Sequence, residues 1–142
     1  MTDAFDSDVL IYVAGDDPLG ADVASLFDAV DDEGFVGLGS VLLIPELLPK
    51  PSRERDSQQV LRITALLRRL DLRPVDEALA VLSAQLGARY RLRALDAVHL
   101  ATAVHYGADR FLTNNRRDFP TTITEVDITY PDQLGSDAEA GR

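Results

Sequence analysis

The feature that most constrains this chain is its alternation of short apolar runs with segments of helical period. Residues 4–7 begin as a strand and lead into the apolar run 9–14, with Ser7 or Asp8 as its cap. Asp17-Pro18 is a second cap, after which Leu19, Val23, Leu26, Phe27 and Val30 mark one helical face and Gly34 stops it. Residues 35–38 read as a buried strand, and 41–48 as a short helix that Pro45 either kinks or starts. Pro49-Lys50-Pro51 reads as a loop. Between 53 and 70, Val60, Ile63, Leu67 and Leu70 recur at helical spacing. Residues 72–75 form a strand, and Leu79, Leu82 and Leu86 the inner face of the next helix. A last helix over 95–106 ends at Gly107, followed by strands at 110–113 and 125–128. Strands alternating with helices predict an α/β domain over residues 1–131, its mostly parallel sheet lying between helices, with 132–142 as a flexible C-terminal tail.

Composition then removes whole classes of chemistry. The absence of Cys excludes disulfides, iron–sulfur clusters, thiolate zinc sites and thiol nucleophiles. Two histidines, His99 and His105, leave little room for a His-based metal site. No apolar run approaches the roughly 18 residues of a membrane span, and no basic segment leads into an apolar one, so a soluble cytoplasmic protein is expected. The formal charge of −10 argues at first against a nucleic-acid partner. Its distribution qualifies that. Residues 1–50 carry 11 acids and one base, Lys50, whereas residues 51–93 carry five acids and nine arginines. Arg55, Arg62 and Arg69 are seven apart and form a stripe on one helix face. Arginine suits phosphate better than lysine does, although a charge run is most simply a solvated face.

In open parallel sheets, ligands collect beyond the carboxyl ends of the strands. Asp6 and Asp8 fall at the end of the first strand, and Asn115 and Asp118 just past the one ending at Thr113. Asp96 opens a helix whose small neighbours Ala97, Ala101 and Ala103 let it pack close to the sheet. Glu46 is the only acid between residues 34 and 53, set among Leu42, Leu43, Ile44, Leu47 and Leu48. An ionised Glu there needs a partner, and no His or Cys is available for one. Carboxylates sharing a site repel one another, and a hard divalent cation resolves the conflict while its waters serve as nucleophiles.

The run Phe5-Asp6-Ser7-Asp8-Val9-Leu10-Ile11-Tyr12, the lone Glu46, Leu95-Asp96-Ala97-Val98-His99-Leu100-Ala101-Thr102-Ala103 and Phe111-Leu112-Thr113-Asn114-Asn115-Arg116-Arg117-Asp118-Phe119 together resemble the PIN-domain family. Within it the pattern is most similar to the VapC-type toxin ribonucleases of toxin–antitoxin pairs. The resemblance covers the chain to about residue 130. It implies a three-layer α/β/α fold and an endoribonuclease dependent on Mg²⁺ or Mn²⁺. Asp6, Asp96 and Asp118 are then metal-binding carboxylates, and Glu46 holds metal or orients the attacking water. Asn115 stands where some members carry Asp, so that either Asn115 or Asp118 faces the metal. Pro45 is a second departure, bearing on the aim of Glu46. Ser7 orients a neighbouring carboxylate, and Asp8 is a helix cap or a further ligand. Arg116 and Arg117 beside the site, with Arg62 and Arg69 on the stripe, are candidates for tracking the RNA backbone. A small antitoxin protein and a homodimer are the implied partners.

Two other readings compete. Asp6-Ser7-Asp8-Val9 also resembles the nucleophile motif of haloacid-dehalogenase-like phosphatases, with Asp6 as nucleophile and Asp8 as general acid. That chemistry needs a later Lys, and the only one is Lys50. A protein-interaction module with a degenerate site is the non-catalytic alternative. His99, three residues after Asp96, is most simply a packed, hydrogen-bonded core histidine.

Overall fold

The computed structural model describes the backbone of residues 1–140 and the side chains of residues 1–135. Five parallel strands form one sheet in the order β3-β2-β1-β4-β5. They are β1 (Asp3–Phe5), β2 (Gly37–Ser40), β3 (Leu70–Arg73), β4 (Arg110–Leu112) and β5 (Asp127–Thr129). The helices are α1 (Ser7–Ala14), α2 (Ala21–Asp28), α3 (Leu43–Leu47), α4 (Pro49–Arg53), α5 (Ser57–Arg68), α6 (Glu77–Tyr90), α7 (Ala94–His105) and α8 (Pro131–Ala140).

Strand side chains alternate between faces, and each face has its own core. Ala4, Leu38, Phe111 and Ile128 meet Leu79 and Leu86 of α6 and Leu100, Ala101 and Ala103 of α7. Phe5, Leu70 and Leu112 meet Val9, Phe27, Leu43, Ile63, Leu67 and Leu134 from the helices of the other face. The fold is therefore the expected three-layer α/β/α arrangement, with a sheet that is wholly parallel.

Local departures from the expected elements have local causes. The second strand lies at Gly37–Ser40, because Phe35 is 62% exposed and the two glycines permit close approach. A Cβ on Gly37 would stand 2.2 Å from the Asp3 carbonyl oxygen of β1. The third and fifth strands are likewise displaced, to Leu70–Arg73 and Asp127–Thr129. Pro49-Lys50-Pro51 is the first turn of α4 rather than a loop, since proline lacks only an N–H that has no intrahelical partner there. Pro45 sits in the first turn of α3 for the same reason. The cap of α1 is Asp6 itself, not Ser7 or Asp8. Much of the segment expected to be a tail lies in α8, where Leu134 joins the core; residues 141–142 lie outside the described residues.

Candidate active site

The chain order reverses direction across the sheet between β1 and β4, which makes their carboxyl ends the switch point of the topology. Phe5 pairs with Leu112, and the ladder continues with the Asp6 N–H donating to the Leu112 carbonyl at 2.9 Å. Asp6 thus emerges beside Thr113 at the centre of the sheet edge. Its Oδ1 accepts from the Ser7 N–H at 2.8 Å and its Oδ2 from the Thr113 hydroxyl at 2.8 Å. The residue is 3% exposed. Burial raises its pKa, as does the charge of Asp96, against the lowering effects of His99, Thr113 and Ser7.

Asp8 lies in the first turn of α1. Its Oδ2 accepts from the Asn114 N–H at 3.0 Å, which ties α1 to the loop after β4, while its Oδ1 is buried without a hydrogen-bond partner. Burial, then the charge of Asp6, pushes its carboxyl up to about 7. Asp96 occupies the first turn of α7, and its pKa is raised by burial and by the charges of Asp118 and Glu46, with His99 and Arg93 opposing. Asp118 is gripped by Asn115, whose Nδ2 donates to Asp118 Oδ2 at 2.9 Å and whose Oδ1 accepts from the Asp118 N–H at 3.2 Å. The Asn115 N–H donates in turn to Thr113 Oγ1 at 3.1 Å, completing a chain from Asp6 to Asp118.

Glu46 overturns one expectation outright. It does have a histidine partner, supplied from 53 residues away: His99 Nε2 lies 2.7 Å from Glu46 Oε2. Desolvation raises the Glu46 pKa, but hydrogen bonds from His99 and Ser7 outweigh it and hold the carboxyl below its ordinary value. Ser7 therefore serves both Asp6, through its backbone, and Glu46, through its hydroxyl.

Sequence reasoning missed Thr113 and His99 as site residues. The signal for Thr113 was its position, matching that of Asp6 at the end of the neighbouring strand. For His99 it was the three-residue spacing from Asp96, which puts both on one side of α7.

The arginine stripe does not join the site. Arg62 donates to the Ala14 carbonyl at 3.3 Å, at the far end of α1 from Asp6, about 12 Å away along the helix. Arg69 precedes β3 at the opposite edge of the sheet and donates to the carbonyls of Phe27, Val30, Asp31 and Gly34. These two side chains satisfy backbone acceptors away from the acidic edge. Arg116 is engaged by Asp132 at 2.7 Å and lies over the Tyr130 ring. Arg117 is exposed, and among the described residues it has no polar partner.

A model of the PIN domain matches residues 4–122. This chain belongs to the PIN-domain family. No curated protein sequence matches it significantly. A solved structure, a toxin–antitoxin complex from Klebsiella pneumoniae, has a similar fold with a TM-score of 0.71 at 21% identity, over 92% of this chain and 98% of that one. PIN domains are typically nucleases that use divalent metal ions.

The donor chemistry of this PIN domain fits such an ion. Asp6, Asp96, Asp118 and Glu46 offer only oxygen, no Arg or Lys among the described residues forms an ion pair with them, and burial and mutual repulsion resist the ionised forms of Asp6 and Asp96. Among the described residues, however, no three Asp, Glu or His side chains stand in ready coordination geometry. Among the described residues, too, no helix is long and apolar enough to cross a membrane.

Proposed function

We propose that this PIN domain is a Mg²⁺- or Mn²⁺-dependent endoribonuclease and the VapC-type toxin of a type II toxin–antitoxin pair. The observation that carries the reading is the gathering of Asp6, Glu46, Asp96 and Asp118 at one sheet edge, where among the described residues no Arg or Lys forms an ion pair with them. Asp6, Asp96 and Asp118 hold the ion, with Asn115 fixing Asp118 rather than replacing it. An ion held there would supply charge to neutralise the scissile phosphate and to lower the pKa of a water. Glu46, held by His99, would hold the ion as well or orient that water. Arg117 meets the RNA backbone; Arg116 does so only by leaving Asp132.

The toxin assignment draws on the toxin–antitoxin complex of similar fold. It implies a small antitoxin that covers the acidic edge with basic residues, a homodimer and a cytoplasmic location. The phosphatase alternative is poorly served here. That chemistry needs a Lys beside Asp6, and Lys50 in α4 forms no hydrogen bond or ion pair with Asp6, whose oxygens accept from Ser7 and Thr113. Phosphoryl transfer to Asp6 would have to break that setting first.

The deciding experiment incubates the purified chain with a panel of structured RNAs, with Mg²⁺, with Mn²⁺ and with chelator. Internal cleavage is expected with either ion and none with chelator. Asp96→Asn should reduce the rate by more than the about 100-fold that supporting residues cost. Undiminished cleavage by Asp96→Asn or Asp6→Asn would sink the site assignment, and clean binding of a protein partner without cleavage of any RNA would favour the interaction module.

A further inference from the structure

We propose that His99 is a positioning residue that sets the aim of Glu46 from beneath the active site, by donating its Nε2–H across the 2.7 Å to Glu46 Oε2. The inference rests on the ribonuclease reading for its consequence, though not for its geometry.

The His99 side chain is 0% exposed, so it meets neither solvent nor RNA, whereas Glu46 is 22% exposed and faces outward. An ionised carboxylate only accepts, so the shared proton resides on Nε2. Nδ1, an acceptor in the neutral ring and a second donor in the protonated one, is buried with no hydrogen-bond partner. A histidine present for packing alone would leave two buried nitrogens to satisfy at a cost in stability that leucine avoids. Here one nitrogen carries a bond to a site acid, and the other is left without one.

The surroundings explain why Glu46 needs such support. Its helix, α3, is only five residues long, and the immediate neighbours of Glu46 there are Pro45 and Leu47, neither of which carries a side-chain donor. His99 of α7 hydrogen-bonds its carboxylate, and Ser7 of α1 also favours its ionised form. His99 shares a helix side with Asp96, three residues before it. One rigid helix therefore places a proposed metal ligand directly and the neighbouring acid indirectly, which keeps the two in register. The buried imidazole also sits close enough to influence Asp6, Glu46 and Asp96 together.

The test uses the full chain and two variants. His99→Leu keeps bulk and removes the donor; His99→Gln puts an amide N–H near the place of Nε2. Imidazole ¹H–¹⁵N spectra of the metal-free wild type should show a slowly exchanging Nε2–H. Under Mg²⁺, His99→Leu should lose about 10–100-fold in kcat with little change in KM for RNA, and its melting temperature should not fall. His99→Gln should regain most of that loss. Wild-type kcat in His99→Leu, or equal impairment in both variants, would overturn the proposal, as would an Nδ1–H tautomer. Should His99→Leu fail to fold, the spectrum and His99→Gln still decide. Should the wild type cleave no RNA, the ribonuclease reading falls, while the tautomer still reports whether His99 holds Glu46.

Discussion

Two buried aspartates stand at opposite ends of β1, one inside the strand at Asp3 and one just past it at Asp6. Asp3 is 7% exposed and meets the Arg110 guanidinium twice, through Nε at 2.8 Å and Nη2 at 3.0 Å. Asp6 is buried more deeply and is given only a hydroxyl and an amide N–H. The same contrast extends along both edges. At the amino edge Arg69 satisfies four carbonyls and Asp109 accepts from the Thr2 N–H. At the carboxyl edge Asp6, Asp8, Glu46, Asp96 and Asp118 crowd together, and among the described residues no guanidinium forms an ion pair with them. One edge is arranged for stability, and the other holds charge that the fold alone does not neutralise.

Breaking the pair at the amino edge should have the largest effect. Removing one partner of a buried ion pair costs about 3–5 kcal/mol, because the other is left desolvated. Asp3→Ala should therefore lose about that much in urea unfolding, while any folded fraction cleaves RNA at the wild-type rate. Asp6→Asn should do the reverse, holding or raising the stability of the metal-free protein and abolishing cleavage. Equal destabilisation by the two variants would erase the distinction between the edges.

Acidity sharpens the comparison next. Asp8 has its carboxyl pushed up to about 7 from an ordinary 3.8, and Asp6 and Asp96 are raised as well. Between those values the folded chain keeps a proton that the unfolded chain releases, so stability falls as pH rises from about 4 to about 7. Glu46, lowered, pulls the other way near and below its ordinary value. For Asp8 the fall is on the order of 2–4 kcal/mol, since a tenfold change in proton affinity is worth about 1.4 kcal/mol. Chemical denaturation of the metal-free protein at several pH values should show this slope. Asp8→Asn should flatten it, because the amide oxygen still accepts from Asn114 and no proton is at stake. A slope unchanged in that variant would remove Asp8 as its source.

How much of this was legible in the sequence differs between elements. Helices with their own punctuation were plain: Asp17-Pro18 caps its turn, and α7 runs as its apolar face and Gly107 dictate. The second strand was misplaced by two residues because Gly37 and Gly39 have no strand propensity; their value is the close approach of β1, a tertiary fact. The candidate acids Asp6, Asp8 and Asp96 stood out in the sequence because each lies where a strand ends or a helix begins, and Glu46 because it is alone among apolar residues. The partnership of Glu46 with His99 was not, since only folding brings α3 and α7 together. What the arginine stripe meets was hidden for a related reason. A seven-residue spacing says that side chains share a face, not what that face meets, and Arg69 meets the carbonyls after α2.

The smallest effect bears most directly on why the carboxyl edge is left unpaired. If its charge awaits a divalent cation, Mg²⁺ should stabilise the wild type at pH 7 by mass action, about 1.4 kcal/mol at ten times its dissociation constant and about 2.7 kcal/mol at a hundred times. The gain should shrink at pH 5, where the raised carboxyls keep their protons and the ion must displace them. It should vanish in Asp96→Asn and persist in Arg69→Met, which is less stable but keeps every site acid. Melting curves with and without Mg²⁺ at the two pH values measure all four effects. Stabilisation that survives in Asp96→Asn would mean that the ion binds elsewhere on an acidic surface, and the crowding at the carboxyl edge would then need another cause.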